Sequence, residues 1–271
     1  VTSFFRDDEA FNALKEVLGK RIQTKAPNTS IRVWIPGCAT GEESVSIAIL
    51  LLEIIRYNSR FDLKIQVFAT DISKTAIKIA RRGIYEKEKI DTLPVELAER
   101  YFVKTGNGYE TSLAVRNSII YTQHDITSNP PFLRMDLISC RNLFIYFNQH
   151  LQNQLFPMFH YALSGEGILF MGKSESIGNY KMYFDTLDPK YRIFQKKDIG
   201  NKNIIKLAGS KRVVRPPSLI EQQDSPEPQI TVQDMVKETL FTNYNKPYVV
   251  IDEHVDIIEI SGDINRFISL K

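Results

Sequence analysis

The chain is poor in the residues that staple, ligate or anchor. Among 271 residues there are two cysteines, Cys38 and Cys140, and four histidines. Two cysteines cannot make a disulfide framework. Each ends a segment that reads as a strand, where a buried free thiol is expected. The histidines lack ligand spacing, so no metal is expected. The longest apolar run, SIAILLLEIIRY, is broken by Glu53 and falls short of the roughly 20 residues that a membrane-spanning helix needs. Direct membrane insertion is therefore not expected. With no signal peptide in view, the expected location is cytoplasmic. Charge of one sign is also lacking: 35 Lys+Arg against 32 Asp+Glu leave +3, which offers no general attraction for nucleic acid. Two phosphate signatures are missing as well. Absence of GxGxxG weakens a dinucleotide reading, and absence of GKS or GKT argues against a triphosphate site.

What is present has ordinary soluble composition, with 43% hydrophobic and 25% charged residues. The length suffices for one full α/β domain and something smaller. Phe11, Leu14, Leu18 and Ile22 recur at helical spacing after the acidic start Asp7-Asp8-Glu9, which predicts a first helix. Strands then alternate with helices. A strand over 31–36 precedes a helix over about 42–57, and a strand over 64–70 precedes a helix over about 73–82 that ends near Gly83. LPVELAERYF reads as a short helix, and FVKTGNGYETSLAV carries an Asn-Gly pair between alternating stretches, a hairpin signal. The rhythm resumes with strands NSIIYTQHD and MDLISC, a helix QHLQNQLFPMFHYAL, and strands GEGILFMG and KYRIFQKK. The expected fold class is α/β, a doubly wound and mainly parallel sheet with an antiparallel strand at its end. The hairpin, over about 101–116, is a small antiparallel insertion on it.

Composition changes after Lys197. Residues 198–231 hold scattered basic residues, Pro216-Pro217 and EQQDSPEP, and read as a linker. From 232 order returns, with a helix DMVKETLFTNY and alternating stretches around YVVIDEHVDIIEIS.

The most informative stretch is IRVWIPGCATGEES, Ile31 to Ser44, a strand entering a small-residue loop and then a helix. About thirty residues later KIQVFATDIS ends a second strand on Asp71. A glycine-bearing β–loop–α turn brings bare backbone against a ligand, and an acid at the next strand tip takes ribose hydroxyls, so a nucleoside is implied. Glu42 and Glu43 open the helix, where they would repel phosphate but suit a cation. An ammonium or sulfonium meets that demand, and S-adenosylmethionine has both.

Five segments in order, TSFFR (Thr2 to Arg6), PGCATGEE (Pro36 to Glu43), ATDIS (Ala69 to Ser73), CRNLFIYF (Cys140 to Phe147) and GKSES from Gly172, resemble the CheR-type chemotaxis receptor methyltransferases over about 1–197. The resemblance implies a class I S-adenosylmethionine-dependent, Rossmann-like domain. It would methylate glutamate carboxylates of a chemotaxis receptor's cytoplasmic domain and release S-adenosylhomocysteine. It places Thr2 and Arg6 beside cofactor and substrate, with Gly37 in the cofactor loop and Glu42 or Glu43 near the methionine part. Asp71 would take the ribose, Asp125 and Ile126 would flank the adenine, and Arg141 and Asn142 would line the site. An Asn is usual at the position of Asp125; an Asp accepts from the adenine amino group but cannot donate. Arg6 and Tyr146 are the implied catalytic pair, Arg6 gripping the substrate carboxylate and Tyr146 lying near the methyl group. The hairpin is where the family docks a receptor or its C-terminal tether peptide. Residues 232–271 resemble the opening of a PAS sensor domain. A catalytically weak, cofactor-binding regulatory module of a PAS-containing signalling protein is the alternative function.

Taken singly, several of these residues have plainer readings. Arg6 could pair with the first helix, Tyr146 could be core, and Asp71 could cap the helix near Ser73. Asn129 to Phe132, NPPF, looks like the amide-gripping motif of other methyltransferases. Here it precedes the strand MDLISC rather than following it, so it is read as a loop.

Overall fold

The computed structural model describes residues 2–106 and 108–199, and the backbone of Tyr248–Ile251 and Ile257–Ser261. The chain divides into two units, Val1–Lys211 and Arg212–Lys271. In the second, Tyr248–Ile251 and Ile257–Ser261 form an antiparallel pair. The expected helix DMVKETLFTNY and nearly all of the expected linker lie outside the described residues.

The first unit opens with helix α1 (Asp8–Thr24), whose buried Phe11, Leu14, Leu18 and Ile22 form the predicted apolar stripe. Strand β1 (Ser30–Pro36) leads into α2 (Glu42–Tyr57), which is buried nearly all round, as its unbroken apolar run requires. Strand β2 (Lys64–Asp71) leads into α3 (Lys74–Arg82). Ser73 caps that helix by accepting from Ala76 N at 3.2 Å, and Gly83 ends it in the left-handed region at φ 63°.

The insertion follows: β3 (Ile84–Tyr85), α4 (Lys87–Ile90), α5 (Val95–Tyr101), β4 (Phe102–Thr105) and β5 (Gly108–Thr111). Its three strands pair antiparallel in the order β3-β5-β4, one strand more than the predicted hairpin. Two residues carry no readable alternation, so β3 left no signal. Its pairing depends on Gly108, at φ 132°, where a Cβ would come within 2.6 Å of the Tyr85 carbonyl oxygen.

Then come α6 (Leu113–Ser118), β6 (Ile119–Gln123), β7 (Met135–Cys140), α7 (Gln149–Ala162), β8 (Leu163–Met171), β9 (Phe184–Asp188) and β10 (Ile193–Lys196). The main sheet has the order β6-β2-β1-β7-β8-β10-β9. Strands β6, β2, β1, β7 and β8 run parallel, and β10 is antiparallel to both β8 and β9. This is the Rossmann-like, class I methyltransferase arrangement, with an antiparallel insertion. Strand β1 alternates its side chains between two cores: Val33 and Ile35 join α1 and α2 on one face, and Trp34 joins Phe156 and Phe159 of α7 on the other.

The chain winds from β1 outward through β2 to β6, then returns to the other side of β1 with β7 and β8. Strand order therefore reverses between β1 and β7, and the crevice at the carboxyl ends of such a pair is where open α/β sheets bind ligands. The register, Trp34 opposite Ile138, sets the loops after Pro36 and Cys140 side by side.

Candidate active site

The loop between β1 and α2 bends through three left-handed residues, Gly37 (φ 71°), Ala39 (φ 48°) and Gly41 (φ 98°). It is tied to the tip of β2: Cys38 N donates to Thr70 O at 2.9 Å, and Ala39 N donates to Asp71 Oδ2 at 2.9 Å. Asp71 Oδ1 accepts from Ser73 N at 2.8 Å. One carboxylate thus ties the loop after β1 to the loop after β2, while Ser73 serves as the helix cap. A side chain at Gly41 would be strained, since its φ is 98° and a Cβ would crowd the Tyr85 and Tyr121 hydroxyl oxygens at 3.0 Å.

The two glutamates that open α2 have different surroundings. Glu42 is fully buried and ion-paired to Lys89 of the insertion, and its Oε2 accepts from Thr40 Oγ1 at 2.6 Å. Glu43 is half-buried; its Oε1 accepts from Ser139 Oγ at 2.6 Å, and no donor among the described residues reaches Oε2. Burial raises its pKa above the ordinary carboxylate range, against the pull of Arg141, of the Ser139 hydrogen bond and of Arg6, with Glu175 adding to the rise. A carboxylate with an open oxygen in such surroundings is suited to a cationic partner.

TSFFR forms a tight turn ahead of α1, with Phe5 at φ 43° and Asp7 at φ 65°. Phe4 is buried against Tyr85 and Phe102 of the insertion at 4.9 and 5.4 Å, and Phe5 packs edge-on against Phe11 at 5.2 Å. Phe5 N donates to Ser46 Oγ of α2 at 2.9 Å. With both rings anchored, Arg6 is turned outward: it is exposed and makes no ion pair among the described residues. Thr2 is half-buried.

Arg141 anchors this turn from below. Its side chain is 1% exposed, donates through Nη2 to Arg6 O at 2.8 Å and Asp7 Oδ2 at 2.6 Å, and lies against the rings of Phe11 and Phe170 at 5.2 and 4.8 Å. Asn142 follows in the left-handed region at φ 57°. Leu143 packs so closely over Gly37 that a Cβ there would lie 3.0 Å from it. Tyr146, in the short 3₁₀ turn Phe144–Tyr146, is 77% exposed, and its hydroxyl makes no hydrogen bond among the described residues. It lies at the surface, not in the core.

Asp125 and Ile126 follow β6. Asp125 Oδ1 accepts from Thr127 N at 2.8 Å and Thr127 Oγ1 at 2.7 Å, and these bonds lower its pKa. Ile126 packs on the Trp34 core. NPPF forms a loop corner: Asn129 Oδ1 accepts from Asp125 N at 2.8 Å, and Phe132 stacks on Phe68 at 5.0 Å. Burial pushes the Cys38 and Cys140 thiols up, so neither is an available nucleophile at neutral pH. Among the described residues there is no cluster able to hold a metal, and no helix long and apolar enough to cross a membrane.

Two residues with structural consequences at the site escaped the sequence reading. Lys89 sits in a run of charged residues that marks none of them out, and only its partner, the buried Glu42, identifies it. Glu175 lies in the GKSES stretch, but nothing in the sequence says that its carboxylate turns inward to bind backbone.

Comparison with known proteins agrees with this geometry. Residues 1–193 match the family described as "CheR methyltransferase, SAM binding domain". A 104.1 kDa protein in the hypE 3' region of Rhodobacter capsulatus is 32% identical over 274 aligned residues, which take in 100% of this chain and 28% of that protein. The chemotaxis protein methyltransferase of Borreliella burgdorferi is 32% identical, covering 66% of this chain and 65% of its own length. Chemotaxis protein methyltransferase 2 of Vibrio cholerae is 30% identical, covering 68% and 64%. The chain thus spans about a quarter of the first relative and about two thirds of the other two. With the match covering all the parallel strands of the main sheet and the loops after β1 and β7 that meet at its switch point, the chain belongs to the CheR methyltransferase family and carries its S-adenosylmethionine-binding domain.

Proposed function

We propose that the domain methylates glutamate side chains on the cytoplasmic part of a chemotaxis receptor, forming glutamyl methyl esters. The observation that carries the substrate class is Arg6, an exposed guanidinium without an ion pair among the described residues, on a turn that Arg141 pins beside Glu43. A planar fork of donors is suited to a carboxylate.

The chain's residues suit S-adenosylmethionine. Gly37 and the loop backbone approach the nucleoside, Asp71 takes the ribose hydroxyls, and Asp125 and Ile126 flank the adenine. Glu43, with its open oxygen, takes the ammonium of the methionine part, while Glu42 is occupied inward by Lys89 and Thr40. Thr2, Asn142 and Arg141 complete the lining. When bound, the cofactor supplies an electrophilic methyl group on a sulfonium.

The chain itself needs no general base, because a glutamate with a pKa of about 4.3 is already ionised at neutral pH. Arg6 orients that carboxylate, and Tyr146 offers a hydroxyl at the rim without competing as a nucleophile. Such positioning supplies several kcal/mol, up to about 7–11 in well-oriented systems. Arg6 is assigned orientation rather than acceleration, since tight ground-state pairing alone would not raise the rate.

Strand β4 is one of the two edge strands of the insertion sheet, and Val103 on it is 59% exposed. A receptor's C-terminal tether peptide would add there as a further strand. A labelled tail peptide is expected to bind the intact chain, and absence of binding removes this partner. The paired strands Tyr248–Ile251 and Ile257–Ser261 support reading 232–271 as the opening of a PAS unit, and a cytoplasmic location follows from the substrate.

The deciding experiment is calorimetry with S-adenosylmethionine and S-adenosylhomocysteine, followed by labelled-methyl transfer to receptor fragments. Arg6→Ala is expected to cut transfer about 100-fold or more while cofactor affinity changes only a few-fold. Unchanged transfer at saturating receptor overturns the role of Arg6. Binding without transfer to any receptor supports the regulatory module instead.

A further inference from the structure

Glu175 is 4% exposed, in the turn that follows β8, and its carboxylate faces backbone rather than any cation. Oε2 accepts from Gly172 N at 2.7 Å and from Asn142 N at 3.0 Å, and Oε1 accepts from Phe144 N at 2.8 Å. These N–H groups come from two loops, at the carboxyl ends of β7 and β8, where the strand ladder has ended. Asn142 is held in the left-handed region at φ 57°, and Phe144 starts a 3₁₀ turn, so the amides of 142 and 144 converge as they do in an anion-binding nest. The anion in this nest is the chain's own side chain. Gly172 makes the approach possible, since a Cβ there would sit 2.8 Å from Glu175 Oε2 and 3.0 Å from Asn142 N.

The clamped segment bears the site. Arg141, whose Nη2 holds Arg6 O and Asp7, immediately precedes the first clamped amide. Leu143, between the clamped amides, lies on Gly37 of the cofactor loop, and Tyr146 follows two residues after the last. We propose that Glu175 is a positioning residue: its buried carboxylate folds the loop from Arg141 to Phe147 over the cleft and sets Asn142 and Tyr146 in place. This rests on reading the cleft as the methyl-transfer site.

A carboxylate is needed because all three partners donate. Glutamine keeps the shape but turns an NH₂ toward at least one N–H, so the nest loses an acceptor. In Glu175→Gln, amide hydrogen exchange at Asn142 and Phe144 is expected to accelerate by about tenfold or more, with core strand amides of β1 unchanged. Affinity for S-adenosylhomocysteine should fall about tenfold, and kcat on a receptor fragment about 100-fold with KM for the fragment nearly constant, as expected for a loop misplaced by about 1 Å. Glu175→Asp keeps the charge on a shorter arm and should recover part of each loss. Leu155→Ala, in the buried α7 core, serves as a control for lost stability. If Glu175→Gln matches that control in affinity and kcat, or if exchange at Asn142 and Phe144 does not change, the proposal is overturned. Should Glu175→Gln fail to fold, the same measurements on Glu175→Asp decide it, with no change from the unsubstituted chain as the refuting result. If the unsubstituted chain binds no S-adenosylhomocysteine, it is the cofactor reading that fails, and the exchange measurement still judges the clamp.

Discussion

Glu42 and Glu43 are chemically identical neighbours with opposite surroundings, and the difference has a measurable consequence. The pKa of Glu43 is raised in the folded state, chiefly by burial, so the native chain holds that proton more tightly than the unfolded chain. Its contribution to stability is fully present below the ordinary value of about 4.3 and is lost as pH rises through the raised value. At neutral pH Glu43 is therefore a cost to folding, one that an ammonium bound as proposed would offset. Glu43→Gln is expected to stabilise the unliganded chain by about 1 kcal/mol in urea denaturation at pH 7, in line with strained functional sites elsewhere. The same substitution should weaken S-adenosylhomocysteine binding and flatten its pH dependence, which in the unsubstituted chain is a loss of affinity as pH falls through the raised pKa. Equal pH profiles for the two proteins in calorimetry would remove Glu43 from the cofactor site.

Among the elements, the insertion is linked to the start of α2, to the loop before it and to the TSFFR turn. Its α4 supplies Lys89 to Glu42, its β3 supplies the Tyr85 hydroxyl that donates to Thr40 O at 3.3 Å, and Tyr85 with Phe102 receives Phe4 of the TSFFR turn. Removing Lys89 leaves Glu42 buried without its counter-ion. Breaking such pairs costs about 3–5 kcal/mol, and the low end applies because Lys89 itself is 37% exposed. Lys89→Met should therefore lose about 3 kcal/mol by urea denaturation, and adding Glu42→Gln should recover most of it. Additive losses in the double variant would show that the two side chains act independently. The same segment shows what sequence periodicity can resolve. The Asn-Gly pair in the sequence announced the pairing of β4 with β5, but β3, α4 and α6 are two to six residues long and carry too little pattern to be recognised. Strand β9 escaped for another reason: at the sheet edge its middle three residues are exposed, so it shows no apolar alternation.

For the molecule as a whole, the cleft exists because strand order reverses at β1 and β7, and the loops after these two strands, distant in sequence, meet there. A ligand that binds only this assembled state stabilises all of it. At 100 times its Kd it adds about 2.7 kcal/mol, so S-adenosylhomocysteine is expected to raise Tm by about 5–10 °C for a domain of this size. No shift at that saturation would count against the cofactor. The sequence alone determined the alternation of strands and helices, the parallel sheet, the acid Asp71 at the tip of β2, and the two carboxylates at the start of α2. These are local matters, set by side-chain periodicity and by the charge at one helix start. Tertiary structure alone decided which glutamate is open. Adjacent residues on a helix point about 100° apart, and only packing shows that one direction meets Lys89 of the insertion and the other meets Ser139 of β7. It likewise placed Arg141 beneath Arg6 and turned Glu175 into its nest. Apart from the bond to Gly172, those contacts join residues 31 to 135 positions apart, and no local pattern encodes which of many possible partners a buried charge will meet.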